Sequence, residues 1–409
     1  MTLIETVEAF IEREVRPLED DLAQELSAKR SSHPELDDDG RMAAAVWDAR
    51  REVRERSAAA GLYAMHMTER CGGRGVPRAE MMLVEEAVFR AGVGLAPAML
   101  AWTEGPSPMV NHASDDQIER FVTPLVRGET TAAFANTEPS AGSDVLGIKT
   151  TARKDGDDWV IDGHKAWITN APFCDVIQVI AVTEPGAGSR SLTAFFVEAD
   201  REGVRRGTIN PTIMDDGLTG ELVFDGVRVP DANRLGEAGQ GLPLAMTYIN
   251  WRRMCRGGMC AGWSRLLLDR AVARVQAREA FGGPLVERQA VQHMLAEMEV
   301  DRYTARAASL DAQRRIDQLG PHDIPLDPEA RSLMSLIKYL NDQAFFRIAD
   351  RAVQLHGASG LRRNSTEEKL FRVARNLRIP AGADEIQLDQ IARGLLASPA
   401  EVPAETVVV

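Results

Sequence analysis

The sequence predicts a mainly helical α+β protein in which a helical region, an antiparallel β region and a second helical region follow one another. Residues 1–133 carry apolar side chains at the spacing of helices. Residues 134–237 alternate apolar and polar side chains, as half-buried strands do. Residues 238–398 return to three long helical patterns, which predict a four-helix bundle. Residues 399–409 are expected to form a frayed tail.

The N-terminal region begins with an acidic amphipathic helix. Its apolar positions fall at helical spacing, and they are Leu3, Val7, Phe10, Ile11 and Val15. This composition differs from that of a secretory signal or a transit peptide. The chain also contains no apolar run close to the ~20 residues that cross a bilayer. We therefore expect a cytoplasmic protein without a membrane partner.

The middle region contains two Asp-Gly pairs flanked by apolar and polar residues in alternation. Asp162-Gly163 lies in "DDWVIDGHKAWITNA", and Asp225-Gly226 lies in "GELVFDGVRVP". An Asp-Gly pair in such surroundings is typical of a tight hairpin turn, so each segment is predicted to form two strands. The stretch "DVIQVIAVTEPGAGSRSLTAFFVEAD" predicts a strand, a loop and a second strand.

The C-terminal region contains three long helical patterns with two interruptions. The segment "FGGP", which begins at Phe281, separates the first pattern from the second. The segment "DQLGPHDIPLDP" separates the second from the third. The third pattern ends at Gly357, which is predicted to be a helix C-cap. Long helices joined in this way favour antiparallel packing in a bundle.

Charge and cysteine content exclude several classes of function. The formal net charge is −13, from 48 basic and 61 acidic residues, which argues against nucleic acid as the main partner. The four cysteines, Cys71, Cys174, Cys255 and Cys260, are too scattered for a disulfide framework. The separation of the last two matches no metal-ligand spacing, so we predict buried, reduced thiols and no metal site.

Four short motifs could carry chemistry, and each also has an ordinary structural explanation. "TEPSAGSD" (137–144) has the small residues of an anion-binding turn, although a capped turn would look the same. "KAWITNA" (165–171) places a tryptophan and a threonine on a strand, where they could equally be core residues. "REAFGGPLVERQ" (278–289) and "QLHGASG" (354–360) interrupt or end helices, as simple connections do.

Together and in this order, the motifs resemble those of the acyl-CoA dehydrogenase family. The resemblance covers nearly the whole chain to about Ala397, and it includes the closing "GADEIQLDQIARGLL". It implies the fold of that family, with an N-terminal helical domain, a middle β domain and a C-terminal four-helix bundle. It also implies FAD as cofactor, an acyl thioester as substrate and an electron acceptor such as an electron-transfer flavoprotein. A homodimer or homotetramer is expected for the same reason.

The resemblance assigns cofactor-binding roles residue by residue. The residues that match flavin-facing positions are Phe134, Asn136, Thr137, Trp167 and Thr169. Gly142 and Ser143 match a turn that faces the pyrophosphate and CoA. The residues that match the site for a dinucleotide from a neighbouring subunit are Arg278, Phe281, Gln289, Gln354 and Gly357. Ala383 and Glu385 match the last cofactor-facing positions, where the family often has a threonine that Ala383 replaces.

The resemblance also predicts the substrate-facing residues, which are Ser143, Asn250, Arg252, Arg253 and Ala381. Asn250 and Arg253 match positions that hold the pantetheine and support the thioester. A cation at Arg252 that faced the acyl pocket would favour an anionic acyl group, whereas the same side chain could also face solvent. The segment "WRRMCR" carries three arginines, so we expect at least one of them to be exposed.

In the family reaction, a carboxylate removes the α-proton while the β-hydride goes to the flavin. That carboxylate usually stands immediately before the glycine that matches Gly382, where this chain has Ala381. The alternative position, on the long helix after the β domain, is Arg252, which stays protonated. The Ala381 N–H can still polarise the thioester carbonyl. We predict an FAD-dependent acyl-thioester dehydrogenase in which Ala381 replaces the usual glutamate base.

Three explanations for the missing base remain open at this point. Another carboxylate could replace it, and Glu104 in "WTEGPSP" is a candidate, whereas Asp384 and Glu385 are expected to point away. The protein could instead perform other flavin chemistry, as an enoyl-thioester reductase or a monooxygenase. It could also be a non-catalytic subunit that works beside a homologue.

Overall fold

The computed structural model describes residues 2–29, 31, 33–214, 216–320 and 327–397. The predicted tail (399–409) and the middle of the predicted connection (321–326) lie outside these ranges. Within them, helices precede an eight-stranded sheet and helices follow it, as the sequence predicts. None of the helices in these ranges is both long and apolar enough to cross a membrane. All four cysteines are buried and free, in agreement with the prediction.

The N-terminal helices are α1 (Leu3–Phe10), α2 (Arg16–Ser27), α3 (Ala44–Ala59), α4 (Arg78–Arg90), α5 (Asp115–Gln117) and α6 (Thr123–Val126). A π-helical turn, Ile11–Val15, joins α1 directly to α2. Thr2 caps α1 by accepting the backbone N–H of Glu5, whose carboxylate accepts the N–H of Thr2 in return. Val7 and Phe10 are buried on the predicted apolar face.

The strands of the main sheet are β1 (Ala132–Ala135), β2 (Thr151–Asp155), β3 (Asp158–Thr169), β4 (Val176–Val182), β5 (Leu192–Glu198), β6 (Val204–Ile209), β7 (Thr219–Pro230) and β8 (Arg234–Leu235). They lie in the order β6-β7-β3-β2-β4-β5-β8, with β1 beside β4. Most neighbours are antiparallel, as predicted, but β4 pairs in parallel with β1 and β2. The chain between these strands supplies the long connection that parallel pairing requires.

The prediction of hairpin turns at the two Asp-Gly pairs is wrong. β3 and β7 each continue through their pair as one strand, and the two strands pair with each other. The pairs lie opposite one another at a register shift, where Gly226 N–H donates to Asp162 Oδ1 at 2.7 Å. A local irregularity therefore accommodates both pairs without reversing the chain. The hairpin between β2 and β3 turns instead at Gly156, whose φ is +63°.

The C-terminal elements are α7 (Gly241–Ala277), β9 (Glu279–Ala280), β10 (Gly283–Pro284), α8 (Gln289–Leu319), α9 (Pro328–His356), α10 (Thr366–Leu377) and α11 (Asp384–Leu396). The long helices α7, α8 and α9 pack against one another, and α10 and α11 pack against α9. The β9–β10 ribbon lies at the predicted interruption. Gly357 caps α9 with a φ of +62°, which confirms the predicted C-cap.

Glycines in α7 allow this helix to approach α4 closely. A Cβ atom on Gly258 would lie 2.5 Å from the carbonyl oxygen of Met82, and one on Gly262 would lie 2.4 Å from that of Glu86. Because protein interiors are close-packed, a larger residue at either position would push the helices apart. The contact fixes the position of α7, whose first turns border the candidate site.

Candidate active site

A buried ion pair holds the loop of the "TEPSAGSD" motif against β3. Lys165 Nζ lies 2.9 Å from Glu138 Oε1 and donates to the carbonyl oxygen of Asn136 at 3.0 Å. Glu138 also accepts the backbone N–H groups of Lys149 and Thr150. Lys165 is fully buried, and this burial lowers its pKa to about 8. The loop is therefore anchored from inside the β domain.

Trp167 lies on an irregular part of β3 next to this loop. The pairing of β3 with β7 shifts register here, and Trp167 takes a left-handed φ of 60°, which is unusual for a bulky side chain. Its side chain is 57% exposed, and Thr169 is exposed as well. Ala166 N–H donates to the Thr137 carbonyl at 3.0 Å, which links the irregular segment to the motif. A strained backbone that exposes an indole is typical of a functional position.

Aromatic side chains from three regions meet beside the first turns of α7. Phe134, which is half-buried in β1, stacks on Tyr248 with ring centroids 4.1 Å apart. Trp251 stacks on His66 at 5.0 Å. Burial lowers the pKa of His66 to about 3, so its imidazole is neutral near pH 7. The His66 and Trp251 rings and α4 border a cavity of only about 10 Å³.

Arg252 points into the protein rather than into solvent. Its guanidinium lies 4.2 Å from the centroid of the Trp102 ring and donates a hydrogen bond to the Trp102 carbonyl. Arg253 and Arg256 are also buried, so the prediction that one of the three arginines is exposed is wrong. The reason is that α4, α8 and α9 all pack around this part of α7. Among the described residues, Arg252 forms no ion pair.

The closing loop is bound to α7 and α11 through its carbonyl groups. Arg253 Nε donates to the Ala381 carbonyl at 2.9 Å, and a second guanidinium nitrogen donates to Asn250 Oδ1 at 3.1 Å. Gln387 Nε2 donates to the Gly382 carbonyl at 2.9 Å. Ala381 has a left-handed φ of 62°, and its N–H makes no hydrogen bond within the described residues. Burial lowers the pKa of Arg253 to about 10, so it remains a cation near pH 7.

Glu104 is engaged elsewhere and is not a free base. One carboxylate oxygen lies 2.7 Å from Arg50, and the other lies 3.3 Å from Arg54. The side chain is buried, and its backbone carbonyl accepts the N–H of Ala132 at the start of β1. Both oxygens therefore tie α3 to the segment before the sheet. This geometry does not support the hypothesis that Glu104 replaces the missing base.

Asp384 and Glu385 do not supply a free carboxylate either. Asp384 is buried and lies 2.7 Å from Arg378 and 3.4 Å from Lys338. It also accepts a hydrogen bond of 2.7 Å from Gln343. Glu385 is exposed. Asp384 therefore supports the closing loop from within the bundle, and Glu385 faces the surface.

The remaining cofactor candidates lie at the other end of α7. Arg278 follows Asn250 by 28 residues (278 − 250), which corresponds to about 42 Å along a helix. Phe281 lies between β9 and β10, is 95% exposed and has a φ of 53°. The other members of this group are also exposed, and they are Gln289, Gln354 and Gly357. One chain does not bring this group to Phe134, so the two groups would share a dinucleotide only between copies of the chain.

The residues at the β-domain end fit a cofactor with polar ring edges and phosphates. Asn136 is buried, and its Oδ1 has no hydrogen-bond partner; Asn250 Nδ2 also lacks one. A buried polar atom without a partner costs about 1–3 kcal/mol, and a bound ligand would remove that cost. Gly142 and Ser143 lie in an exposed turn, and a Cβ atom on Gly142 would contact nothing within 4 Å. The open space at Gly142 and the unpaired polar atoms of Asn136 and Asn250 thus lie at residues that were predicted to face FAD or the substrate.

Sequence reasoning missed several residues that shape this site. Glu138 and Lys165 lie inside the quoted motifs. The available signal was Lys165 itself, because a lysine at a buried position of a strand needs a partner of opposite charge. Tyr248 stands four residues before Arg252, so both project from one face of α7. Trp102 carried no recognisable pattern, because its contact with Arg252 joins residues 150 positions apart.

Three family models match consecutive parts of the chain. They are the acyl-CoA dehydrogenase N-terminal domain over residues 41–129, the middle domain over residues 133–227 and the C-terminal domain over residues 239–396. A 3-(aryl)acrylate reductase of Clostridium sporogenes is 31% identical over 349 residues, which are 85% of this chain and 90% of that protein. A caffeyl-CoA reductase–Etf complex subunit, CarC, of Acetobacterium woodii is 29% identical over 339 residues, 82% of this chain and 87% of that protein.

A solved structure gives the same result for the fold. Butyryl-CoA dehydrogenase from Megasphaera elsdenii superposes with a TM-score of 0.79 at 25% identity, and the match covers 97% of this chain and 99% of that chain. The similarity therefore includes all three regions of the fold and is not confined to single motifs. The chain belongs to the acyl-CoA dehydrogenase family, whose members are FAD-dependent oxidoreductases that act on CH–CH bonds.

Proposed function

We propose that the chain removes two hydrogens from the α and β carbons of an acyl thioester, with Ala381 in place of the usual base. The observation that carries this proposal is the closing loop, where the Ala381 N–H has no hydrogen-bond partner among the described residues and the Ala381 carbonyl is held by Arg253. A free N–H beside a buried cation can stabilise the negative charge that develops on the thioester oxygen when the α-proton leaves. Neither contribution requires a side chain at position 381.

The two ends of the site have separate roles in this proposal. FAD, when bound, accepts the hydride from the β-carbon. The residues that would face its ring are Phe134, Asn136, Thr137, Trp167 and Thr169. Gly142 and Ser143 would face the pyrophosphate and CoA, and Ala383 and Glu385 would border the cofactor at the closing loop. Asn250 would bind the pantetheine.

The wall of the acyl pocket would be formed by Trp102, Trp251 and Arg252. The guanidinium of Arg252 stacks on Trp102 and is bonded to its carbonyl, so it narrows the space available to the acyl chain. Because arginine stays protonated, it contributes positive charge and cannot remove a proton. The pocket therefore favours a short or polar acyl group over a long aliphatic chain.

Reduction of an α,β-unsaturated thioester is the second candidate. The names of the two curated relatives describe reductases of unsaturated substrates, and the same residues would serve either direction. The name of the A. woodii relative also places it in a complex with Etf. We propose an electron-transfer flavoprotein as the redox partner of this chain in both cases.

An anaerobic flavin experiment tests the proposal and separates the candidates. Bleaching of the bound flavin by saturated acyl-CoAs, from propionyl-CoA to palmitoyl-CoA, is expected if the enzyme is a dehydrogenase. Reoxidation of the photoreduced enzyme by crotonyl-CoA or cinnamoyl-CoA, without bleaching by their saturated forms, would identify a reductase. A hydroxylated product formed only with oxygen would contradict both and identify a monooxygenase. If no probe bleaches or reoxidises the flavin, the remaining candidate is a non-catalytic subunit.

Replacing Phe281 by alanine is expected to weaken FAD binding without destabilising the fold. The ring is 95% exposed in one chain, so the free energy of unfolding should change by less than about 0.5 kcal/mol. If the ring anchors the dinucleotide of a second copy, its truncation should cost about 2 kcal/mol or more of binding. Flavin fluorescence after dilution measures the loss, and Phe281→Tyr should retain the cofactor. If Phe281→Ala retains all of its FAD, the result would contradict a cofactor site that is shared between subunits.

A further inference from the structure

The proposed reaction needs a group that exchanges a proton with the α-carbon, and Tyr248 is an ionisable side chain that contacts a predicted flavin-facing residue. Its ring stacks on Phe134 at 4.1 Å and meets Trp251 edge-on at 6.0 Å. Phe134 precedes Asn136, whose orphaned Oδ1 marks the cofactor end of the site. Arg252, four residues further along α7, projects from the same face of the helix and stacks on Trp102. Tyr248 thus lies between Phe134 at the cofactor end and Arg252 at the alternative base position.

The hydroxyl of Tyr248 is available to a ligand. Within the part of the chain that the structure describes, it makes no hydrogen bond, and it is not among the buried polar atoms sealed from solvent. By contrast, Tyr63 OH is buried without a partner. A phenol that is held by ring stacking and has a free oxygen can turn that oxygen towards a bound substrate.

The charges around Tyr248 act on its ionisation in opposite directions. Burial has the largest effect and holds the pKa of the phenol above its ordinary value, although the Arg252 guanidinium, four residues later on the same face of α7, partly offsets this increase. Two further residues of α7 also act on the phenol: Cys255 raises its pKa, and Arg256 lowers it. On α4, a carboxylate oxygen of Glu85 lies 3.2 Å from a guanidinium nitrogen of Arg78, so the two charges offset each other. His66 is neutral, and Phe134 carries no charge.

We propose that Tyr248 is the acid–base residue of this enzyme and exchanges a proton between its phenol oxygen and the α-carbon of the acyl thioester. This inference rests on the proposed function above. In the oxidative direction, the phenolate oxygen takes the α-proton as that C–H bond breaks. The β-hydrogen leaves with its electron pair to FAD, the C=C bond forms, and the phenol returns its proton to solvent. In the reductive direction, the phenol donates the proton to the α-carbon.

This assignment accounts for both empty base positions. Ala381 retains only the backbone donor, and Arg252 stands where the alternative carboxylate would be, one turn from Tyr248. A cation at that position favours the ionised form of a nearby phenol, as it would that of a carboxylate. The arginine at position 252 therefore reduces the increase in the phenol pKa that burial causes.

Hydrogen exchange at the α-carbon tests the inference independently of turnover. The holoenzyme is incubated in D₂O with each saturated acyl-CoA of the screen, and deuterium at the α-carbon is measured by mass spectrometry. Tyr248→Phe keeps the ring that stacks on Phe134, so it should retain FAD and its melting temperature. It should lose about 10²-fold or more of the exchange rate, the usual contribution of an acid–base group. Tyr303→Phe, which alters an exposed tyrosine on α8, should exchange as the wild type does.

A second variant measures the influence of the neighbouring charge. Arg252→Gln removes the guanidinium, so the pH at which exchange rises should move upwards by about one unit. Ultraviolet difference titration of phenol ionisation, with Tyr248→Phe as reference, should show the same upward shift. Exchange by Tyr248→Phe within about twofold of the wild type would overturn the inference and leave the proposed function intact. A wild type that neither bleaches nor exchanges with any probe would overturn both.

Discussion

Ala381→Glu, introduced into the Tyr248→Phe variant that lacks the proposed base, is expected to increase the rate of flavin bleaching by an acyl-CoA by about 10²–10⁴-fold, the usual contribution of a general base. Ala381 already occupies a left-handed conformation with its carbonyl held by Arg253, so the longer side chain adds little new backbone strain. The adjacent guanidinium favours the ionised carboxylate. Stopped-flow absorbance of the oxidised flavin under anaerobic conditions measures the rate.

Ala381→Gln is the matched control for this experiment, because it adds nearly the same volume without an ionisable group. In the same Tyr248→Phe background it should bind FAD and acyl-CoA like the glutamate variant, and its bleaching rate should stay at the level of Tyr248→Phe or below. If Ala381→Glu binds the thioester and gains nothing, the reacting carbon does not lie beside residue 381. In that case the pocket has been reshaped, and the resemblance to the family does not extend to the position of the substrate.

Lys165→Met is expected to lower the free energy of unfolding by about 3–5 kcal/mol, because it leaves a buried carboxylate without its cation. Glu138 is 5% exposed, and its partner is fully buried. Glu138 also receives two backbone N–H groups from the segment before β2. Loss of the pair should therefore loosen the 137–144 loop as well as the sheet. Chemical denaturation measures the stability, and FAD content reports the state of the loop.

Two control variants separate the pair from general effects of substitution. Lys149→Met changes an exposed side chain in the same domain and should alter the free energy of unfolding by less than about 0.5 kcal/mol. The double variant Glu138→Gln/Lys165→Met removes both charges and keeps an acceptor for one of the two N–H groups, which donate to different oxygens of Glu138. It should be more stable than Lys165→Met alone by about 1 kcal/mol or more. Equal stability of the single and double variants would contradict an energetic coupling between the two side chains.

The same pair predicts a dependence of stability on pH. The pKa of Lys165 is about 8 in the folded protein, below the value of about 10.4 for an unfolded chain. Between these values the unfolded state binds more protons, so this residue makes the free energy of unfolding increase with pH. Below pH 8 the contribution is constant and unfavourable. The difference in unfolding free energy between wild type and Lys165→Met should therefore grow from pH 8 to pH 10.

The order of helical and β regions was predictable because it depends on local periodicity. The apolar spacing from Val7 to Phe10, the interruption at Phe281 and the glycine cap at Gly357 are all set by residues close in sequence. The Asp-Gly pairs failed as turn signals for the opposite reason. Whether Asp162-Gly163 reverses the chain depends on its pairing with β7, about sixty residues later.

The sequence by itself determined the family, the three regions of the fold and the absence of a carboxylate at Ala381, since motifs and residue identity are local properties. Only the tertiary structure decided that Arg252 stacks on Trp102 and that Arg50 and Arg54 occupy Glu104. It also showed that, in the part of the chain that the structure describes, the Ala381 N–H has no partner while its carbonyl is bound by Arg253. These contacts join residues 50 to 150 positions apart, and their distances follow from how α3, α7 and the closing loop pack together.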